Sequence, residues 1–205
     1  MTFPELQELN TPRLTLRKLT LADAPLYFQR IASRPEVAQY MLWEPHRSLA
    51  ETEDMIRTVL DRYEAGLCYR WCIALAEDNS PIGAIELLRF NKAEQTCSFA
   101  YMLGSDFWGR GYGTEALRVV LEFAFEKMQM STVTADHMAA NPASGAVMRK
   151  AGMSFCRIVP QKYEKKRSKN GRLGIQHHPG TVEISKSMPV IVLFLDFIAI
   201  TWYIL

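Results

Sequence analysis

No sign of charge dominates this chain: 24 lysines and arginines stand against 22 aspartates and glutamates, a net +2 over 205 residues. That balance excludes the strongly basic face, interleaved with aromatics, that grips nucleic acid, and no such run appears before residue 162. Paired cysteines are also lacking. Cys68 and Cys72 have no second pair to complete a zinc site, and Cys97 and Cys156 stand apart, so all four read as reduced core thiols and no metal is expected. No basic stretch leads into an apolar run at the N-terminus, which removes a secretory signal and leaves the cytoplasm as the expected compartment. Repeats and low-complexity blocks are absent. The remaining composition, 48% hydrophobic and 22% charged, suits one globular domain with a full-sized core, a monomer or homodimer with small or peptidic partners.

The stretch that organises the chain is Phe107-Trp108-Gly109-Arg110-Gly111-Tyr112-Gly113-Thr114-Glu115-Ala116-Leu117. Ala116, Leu117, Val120, Leu121, Ala124, Phe125 and Met128 recur at helical spacing, so alternate glycines run straight into an amphipathic helix. Glycine permits turn conformations and close main-chain approach, while a helix start offers unpaired N–H groups and a positive dipole end. Together they make a cradle for a phosphate-like anion, set against the plainer reading of a glycine-rich turn before an ordinary helix. No Gly-Lys-Ser/Thr follows, which excludes a Walker loop, and the third glycine and later acid of a dinucleotide fingerprint are missing.

In chain order, Thr11 to Leu19 alternates as a strand, Thr20 and Asp23 open a helix to about Ala32, and a short helix is expected from Pro35 to Met41. Ser48-Leu49-Ala50-Glu51 has capping-box spacing ahead of a stripe of Met55, Ile56, Val59, Leu60 and Tyr63 that stops at Gly66. Tyr69 to Leu75 and Ile82 to Phe90 form a hairpin around Glu77–Pro81, and Thr96 to Leu103 leads to the glycine stretch. Thr132 to Met138 is a further strand. Asn141 then precedes Pro142, a favoured helix start in its own right, and the helix ends at Gly152. This order implies a mixed α/β sheet with helices on both faces.

The glycine stretch resembles the acyl-CoA pyrophosphate loop of the GCN5-related N-acetyltransferases, Arg/Gln-x-x-Gly-x-Gly/Ala. Gly111 and Gly113 fill its last two positions, and Trp108 stands where Arg or Gln is usual, as in the ribosomal-protein-alanine acetyltransferase branch. Asn141-Pro142-Ala143-Ser144 through Lys150-Ala151-Gly152-Met153 resembles the same family's Asn-x-x-Ser…Lys-x-Gly-Phe segment. The resemblance runs from about Thr11 to Phe155. It implies a central mixed, mainly antiparallel twisted sheet over residues 1–160, acetyl-CoA as donor, and direct transfer to a primary amine, a protein N-terminus being favoured over a polyamine or aminoglycoside. A non-catalytic acyl-CoA-binding protein is the alternative class.

The resemblance also implies site residues. Trp108, Gly109, Arg110, Gly111, Tyr112, Gly113 and Thr114 would cradle the pyrophosphate, with Asn141 and Ser144 nearby. A bulge in the strand ending Ser98-Phe99-Ala100-Tyr101-Met102-Leu103 would splay two strands for pantetheine, and backbone N–H near Tyr101 or Met102 would polarise the thioester. Trp43 and His46 lie in the loop that lines the acceptor side, although a packed surface loop would read the same way. Relatives often carry a proton-donating Tyr where Met148 stands, so Ser144 is the candidate acid, against simple capping of its own backbone. Glu86 is the candidate base and acceptor contact, because alternation sets it with Ile82, Ala84, Leu88 and Phe90, where partial burial would raise its pKa; the alternative is an edge carboxylate near solvent, with water or His46 as base.

Residues 161–205 depart from the pattern as an atypical tail: basic from Lys162 to Arg172, then His177 and His178 as loop residues, then apolar from Met188 to Leu205. That last run admits three readings: a final buried strand, a short membrane anchor interrupted by Asp196, or a reading-frame scar.

Overall fold

The computed structural model describes residues 3–159, 164–167, 173–176 and 181–187. Ten strands and five helices are traced among them. The strands are β1 Leu9–Asn10, β2 Leu14–Arg17, β3 Tyr69–Leu75, β4 Pro81–Asn91, β5 Thr96–Leu103, β6 Thr132–Met138, β7 Ser154–Val159, β8 Glu164–Arg167, β9 Leu173–Gln176 and β10 Thr181–Ser187. The helices are α1 Ala24–Tyr27, α2 Pro35–Ala38, α3 Leu49–Glu64, α4 Tyr112–Glu122 and α5 Pro142–Lys150, with wide turns extending α1 over Phe28–Ala32 and α4 over Phe123–Lys127.

Eight strands form one sheet in the order β1-β2-β3-β4-β5-β6-β10-β7, and β8 and β9 pair separately. Among the described residues only β5 and β6 run parallel; the other pairings in the sheet are antiparallel, as expected of a mixed, mainly antiparallel sheet. Helices cover both faces. Trp71 and Ile73 of β3 join Ile85, Leu87 and Phe99 beneath Leu117, Val120 and Leu121 of α4. Cys72 and Ala74 of the same strand face Tyr27, Ile31 and Ile56 on the other side. A central strand buried on both faces reads as nearly continuous apolar sequence, which is why Tyr-Arg-Trp-Cys-Ile-Ala-Leu shows only a weak alternation.

Local chemistry sets the ends of these elements. Ser48 caps α3 by accepting the Glu51 N–H at 3.3 Å, but Glu51 reaches the N–H of Arg47 at 3.0 Å rather than that of Ser48, so the reciprocal bond of the box is shifted one residue outward. Arg17 at the end of β2 grips Asp23 with two bonds of 2.8 and 2.9 Å and pins the start of α1 to the sheet. Burial pushes the Asp23 carboxyl up, and the bonds from Arg17 and Thr20 outweigh it and hold it below its ordinary value.

Three expectations change. Cys68, Cys72 and Cys97 are buried as expected, and burial pushes the Cys72 and Cys97 thiols up to about 12, but Cys156 is exposed on β7. The short second helix ends at Ala38 rather than Met41. Residues Thr181–Ser187, assigned to the tail, form β10 and sit in the main sheet between β6 and β7. The alternation of Val182 and Ile184 with Glu183, Ser185 and Lys186 was the available signal. His177, His178 and the apolar run from Met188 to Leu205 lie outside the described residues. No helix among the described residues is long and apolar enough to cross a membrane.

Candidate active site

The central feature is the divergence of β5 from β6. The two pair only from Thr96 to Ser98 against Thr132 to Thr134, so Phe99–Leu103 stays bonded to β4 while its other edge is released. The extra residue lies elsewhere than expected. Leu88 pairs Ser98 and Asn91 pairs Thr96, so the bulge is in β4, where Arg89 takes φ +53, and the stretch Ser98–Leu103 is regular. A bulge in β4 bends the β4–β5 ribbon as a unit, which parts β5 from its parallel neighbour without breaking its antiparallel ladder.

The divergence opens a cavity of about 470 Å³. It brings together Trp43, His46, Glu86, Tyr101, Met102, Asn141 and Ser144, residues from two loops, two strands and a helix. The glycine stretch and Leu103 are not in its wall. They follow directly along β5, joined to it by the indole N–H of Trp108, which donates to the Leu103 carbonyl at 2.9 Å. Trp108 is thus tied to the strand end through its ring nitrogen while the residue is 49% exposed.

In the glycine stretch, Gly109 and Gly111 take φ +73 and +83, the left-handed region, and Gly111 caps α4. Gly113 is ordinary helix; a Cβ there would stand 3.4–3.5 Å from Leu103, Tyr101 and Val147, ordinary contact distance, so the position faces β5 and α5 without requiring glycine. Tyr112 packs under the Arg13 guanidinium, 4.6 Å from its ring centre, and Thr114 is buried. Arg110 is exposed, and its carbonyl accepts from Arg13 at 3.0 Å. Glu115 completes this support: it accepts from the Thr11 hydroxyl at 2.6 Å and from the Arg13 side chain at 2.7 Å. Burial raises the Glu115 carboxyl, and these bonds outweigh that and lower it on balance. No local spacing in the sequence marks Arg13 and Glu115 as partners, because they lie about a hundred residues apart.

On the helix side, Asn141 caps α5 by accepting the Ser144 N–H at 3.3 Å, as its plain helix-start role predicts. The Ser144 hydroxyl accepts from the Tyr101 hydroxyl at 3.3 Å. Met148, where a tyrosine was sought, is buried in the same wall. His137 of β6, which no motif in the sequence marks, is 9% exposed and bonds the Met138 carbonyl through Nδ1 at 2.9 Å. Its Nε2 is buried with no partner among the described residues and lies where a side chain at Gly145 would stand, only 2.4 Å from that position.

On the opposite side, Glu86 does lie with Ala84 on the face toward α1 and α3, but its surroundings are not apolar. Its carboxylate meets Arg62 at 3.2 Å and Arg70 at 3.5 Å, and Arg70 also donates to the Tyr27 hydroxyl at 3.1 Å. His46 has its ring against Trp43, 5.9 Å between centres, and its Nδ1 is 2.8 Å from the Thr52 hydroxyl. Burial lowers the His46 pKa, opposed by Glu51. Among the described residues no group of acids, histidines and cysteines is arranged to hold a metal ion.

A family model described as an acetyltransferase (GNAT) domain matches residues 13–154. The chain belongs to this family. It is therefore an acetyl-CoA-dependent N-acetyltransferase, and the two left-handed glycines at the α4 start and the freed β5 edge suit the pyrophosphate and pantetheine of that donor. Among its relatives is the uncharacterized N-acetyltransferase p20 of Bacillus licheniformis, 30% identical over 130 residues, covering 63% of this chain and 72% of that protein. An acetyltransferase of the GNAT family from Bacillus anthracis superposes with a TM-score of 0.70 at 17% identity over 88% of this chain and 98% of that one. A ribosomal alpha-N-protein acetyltransferase, RimL, in complex with coenzyme A gives 0.72 at 16% identity over 88% and 98%.

Proposed function

We propose that the acceptor is a protein N-terminal amine and that transfer is direct, across the cleft between the Ser144 side and the Glu86–His46 side. The observation that carries this reading is that both sets line one shared cavity at the freed β5 edge. The fold shared with a ribosomal alpha-N-protein acetyltransferase supports the choice of acceptor.

Each catalytic requirement has a candidate among the chain's own groups. Backbone N–H along the freed edge near Tyr101 and Met102 polarises the thioester carbonyl, where charge develops. The amine must be neutral to attack. Glu86, pinned by two guanidinium groups, orients the incoming amine, and His46 takes its proton. In the tautomer whose Nδ1–H donates to Thr52, Nε2 of His46 carries the lone pair, and burial, by lowering the pKa, favours the neutral ring. Ser144 protonates the departing sulfur. Gly109 to Thr114 hold the pyrophosphate, with Asn141 fixing the start of α5 beside it.

Two measurements on the full chain test the reading. Acetyl-CoA at a hundredfold excess over its Kd is expected to stabilise the fold by about 2.7 kcal/mol. Thiol release is expected with peptides bearing a free N-terminal amine, above that with polyamines or aminoglycosides. Turnover confined to the small amines would move the acceptor to that class, and stabilisation without release from any amine would leave a binding protein.

A further inference from the structure

We infer that Tyr101 is the proton reservoir behind Ser144: its hydroxyl, donating to Ser144 Oγ from β5, recharges the serine as the serine protonates the leaving sulfur. The inference rests on the amine-acetylating reading of the cleft, and it supplies the phenol that Met148 cannot.

The geometry has three parts. First, Ser144 Oγ accepts from Tyr101 at 3.3 Å, and among the described residues its own proton goes to no protein acceptor, so that proton is available to the cavity. The serine is not back-bonded to the helix, and its N–H is held by Asn141. Second, the tyrosine ring is constrained. It stacks on Phe99 with 6.2 Å between centres and 29° between planes, and its edge lies 3.5 Å from where a Cβ would stand at Gly113. That is ordinary contact distance, so the ring rests against the start of α4. Third, both residues line the cavity at the freed β5 edge, beside the backbone proposed to hold the thioester. The 3.3 Å separation is longer than a closed O–H···O bond, and such contacts shorten when the reacting group seats.

The chemistry explains why one hydroxyl is insufficient. A thiol ionises near 8.5 and a phenol near 10, whereas water, the nearest guide to an alkyl hydroxyl, ionises at about 15.7. Serine acting alone would leave an alkoxide to neutralise a much weaker base. With the phenol behind it, the charge comes to rest on Tyr101. Burial pushes the Tyr101 phenol up, opposed by the bond to Ser144, so it remains protonated through the neutral range. As the C–S bond breaks, its electron pair goes to sulfur, the Ser144 proton moves to sulfur and the Tyr101 proton moves to Ser144 Oγ. The phenolate regains a proton from solvent, matching the one the amine nitrogen loses on the far side of the cleft.

The test compares Tyr101→Phe, Ser144→Ala and the double variant. Tyr101→Phe is expected to lower kcat about 10²-fold and Ser144→Ala roughly 10²–10⁴-fold, each with acetyl-CoA Kd and Tm near wild type. The double variant should lose no more than Ser144→Ala, and the alkaline limb of kcat should vanish in Tyr101→Phe. Wild-type kcat in Tyr101→Phe, or losses that multiply in the double variant, would overturn the relay. A second readout needs no turnover: ultraviolet titration of Tyr101, taken as the difference between wild type and Tyr101→Phe, should move to higher pH in Ser144→Ala. An unmoved titration would dissolve the pair even in an enzyme whose acceptor is still to be found.

Discussion

The two sides of the cleft are built from different materials. The part read as the donor site is built of main chain: the edge of β5 that β6 releases after Ser98 and, beyond the cavity wall, Gly109 and Gly111 in left-handed conformations at the start of α4. The side read as the acceptor site is bounded by side chains, Trp43 and His46 from one loop, Arg70 from β3 and Glu86 from β4, held by ion pairs and a ring contact. Main-chain geometry depends on a few local residue choices and can be damaged by one of them. A wall of side chains distributes its role over distant positions, so a single change there should weaken one property and spare the rest.

Three predictions sharpen that contrast, the largest effect first. Gly111→Val places a branched side chain at φ +83, beside the Arg13 guanidinium, and distorts the start of α4. We expect acetyl-CoA affinity to fall by more than about 10²-fold with the sheet intact, read by calorimetric titration and circular dichroism. Undiminished affinity would mean that the cradle is not where the donor binds.

His46→Ala should lower kcat by roughly 10²-fold and leave acetyl-CoA affinity unchanged. The sign of the pH effect follows from burial. A base must be neutral, and burial holds the His46 pKa below its ordinary value of about 6.5, so wild-type kcat at saturating acceptor should fall only as pH drops below that value. That acid limb should disappear in His46→Ala, and its survival would assign the base to another group.

Glu86→Gln removes the charge that meets Arg62 and Arg70 and should raise KM for the amine about tenfold, a loss near 1.4 kcal/mol, with donor affinity and the acid limb of kcat both preserved. Loss of the acid limb in this variant would return the base role to the carboxylate and reduce His46 to a wall residue. A change in donor affinity would break the contrast itself, since the two walls would then be coupled through β4 and β5.

Much of this protein was legible from residues a few positions apart. The helical spacing from Ala116 to Met128, the Ser48 cap, the Asn141-Pro142 start and the alternate glycines before α4 each encode their element through contacts within a turn or two, and chain order alone implied a mixed sheet covered on both faces. Tertiary structure decided the rest. The Arg13–Glu115 support, the guanidinium neighbours of Glu86, the tie from Trp108 to Leu103 and the meeting of Tyr101 with Ser144 join residues whose separation carries no periodic signal. The position of the bulge was settled by pairing, because β4 and β5 have equally good strand sequences and only their register reveals which carries the extra residue. For the same reason β10 was hidden: seven residues of modest alternation become a strand only when β6 and β7 offer edges on either side.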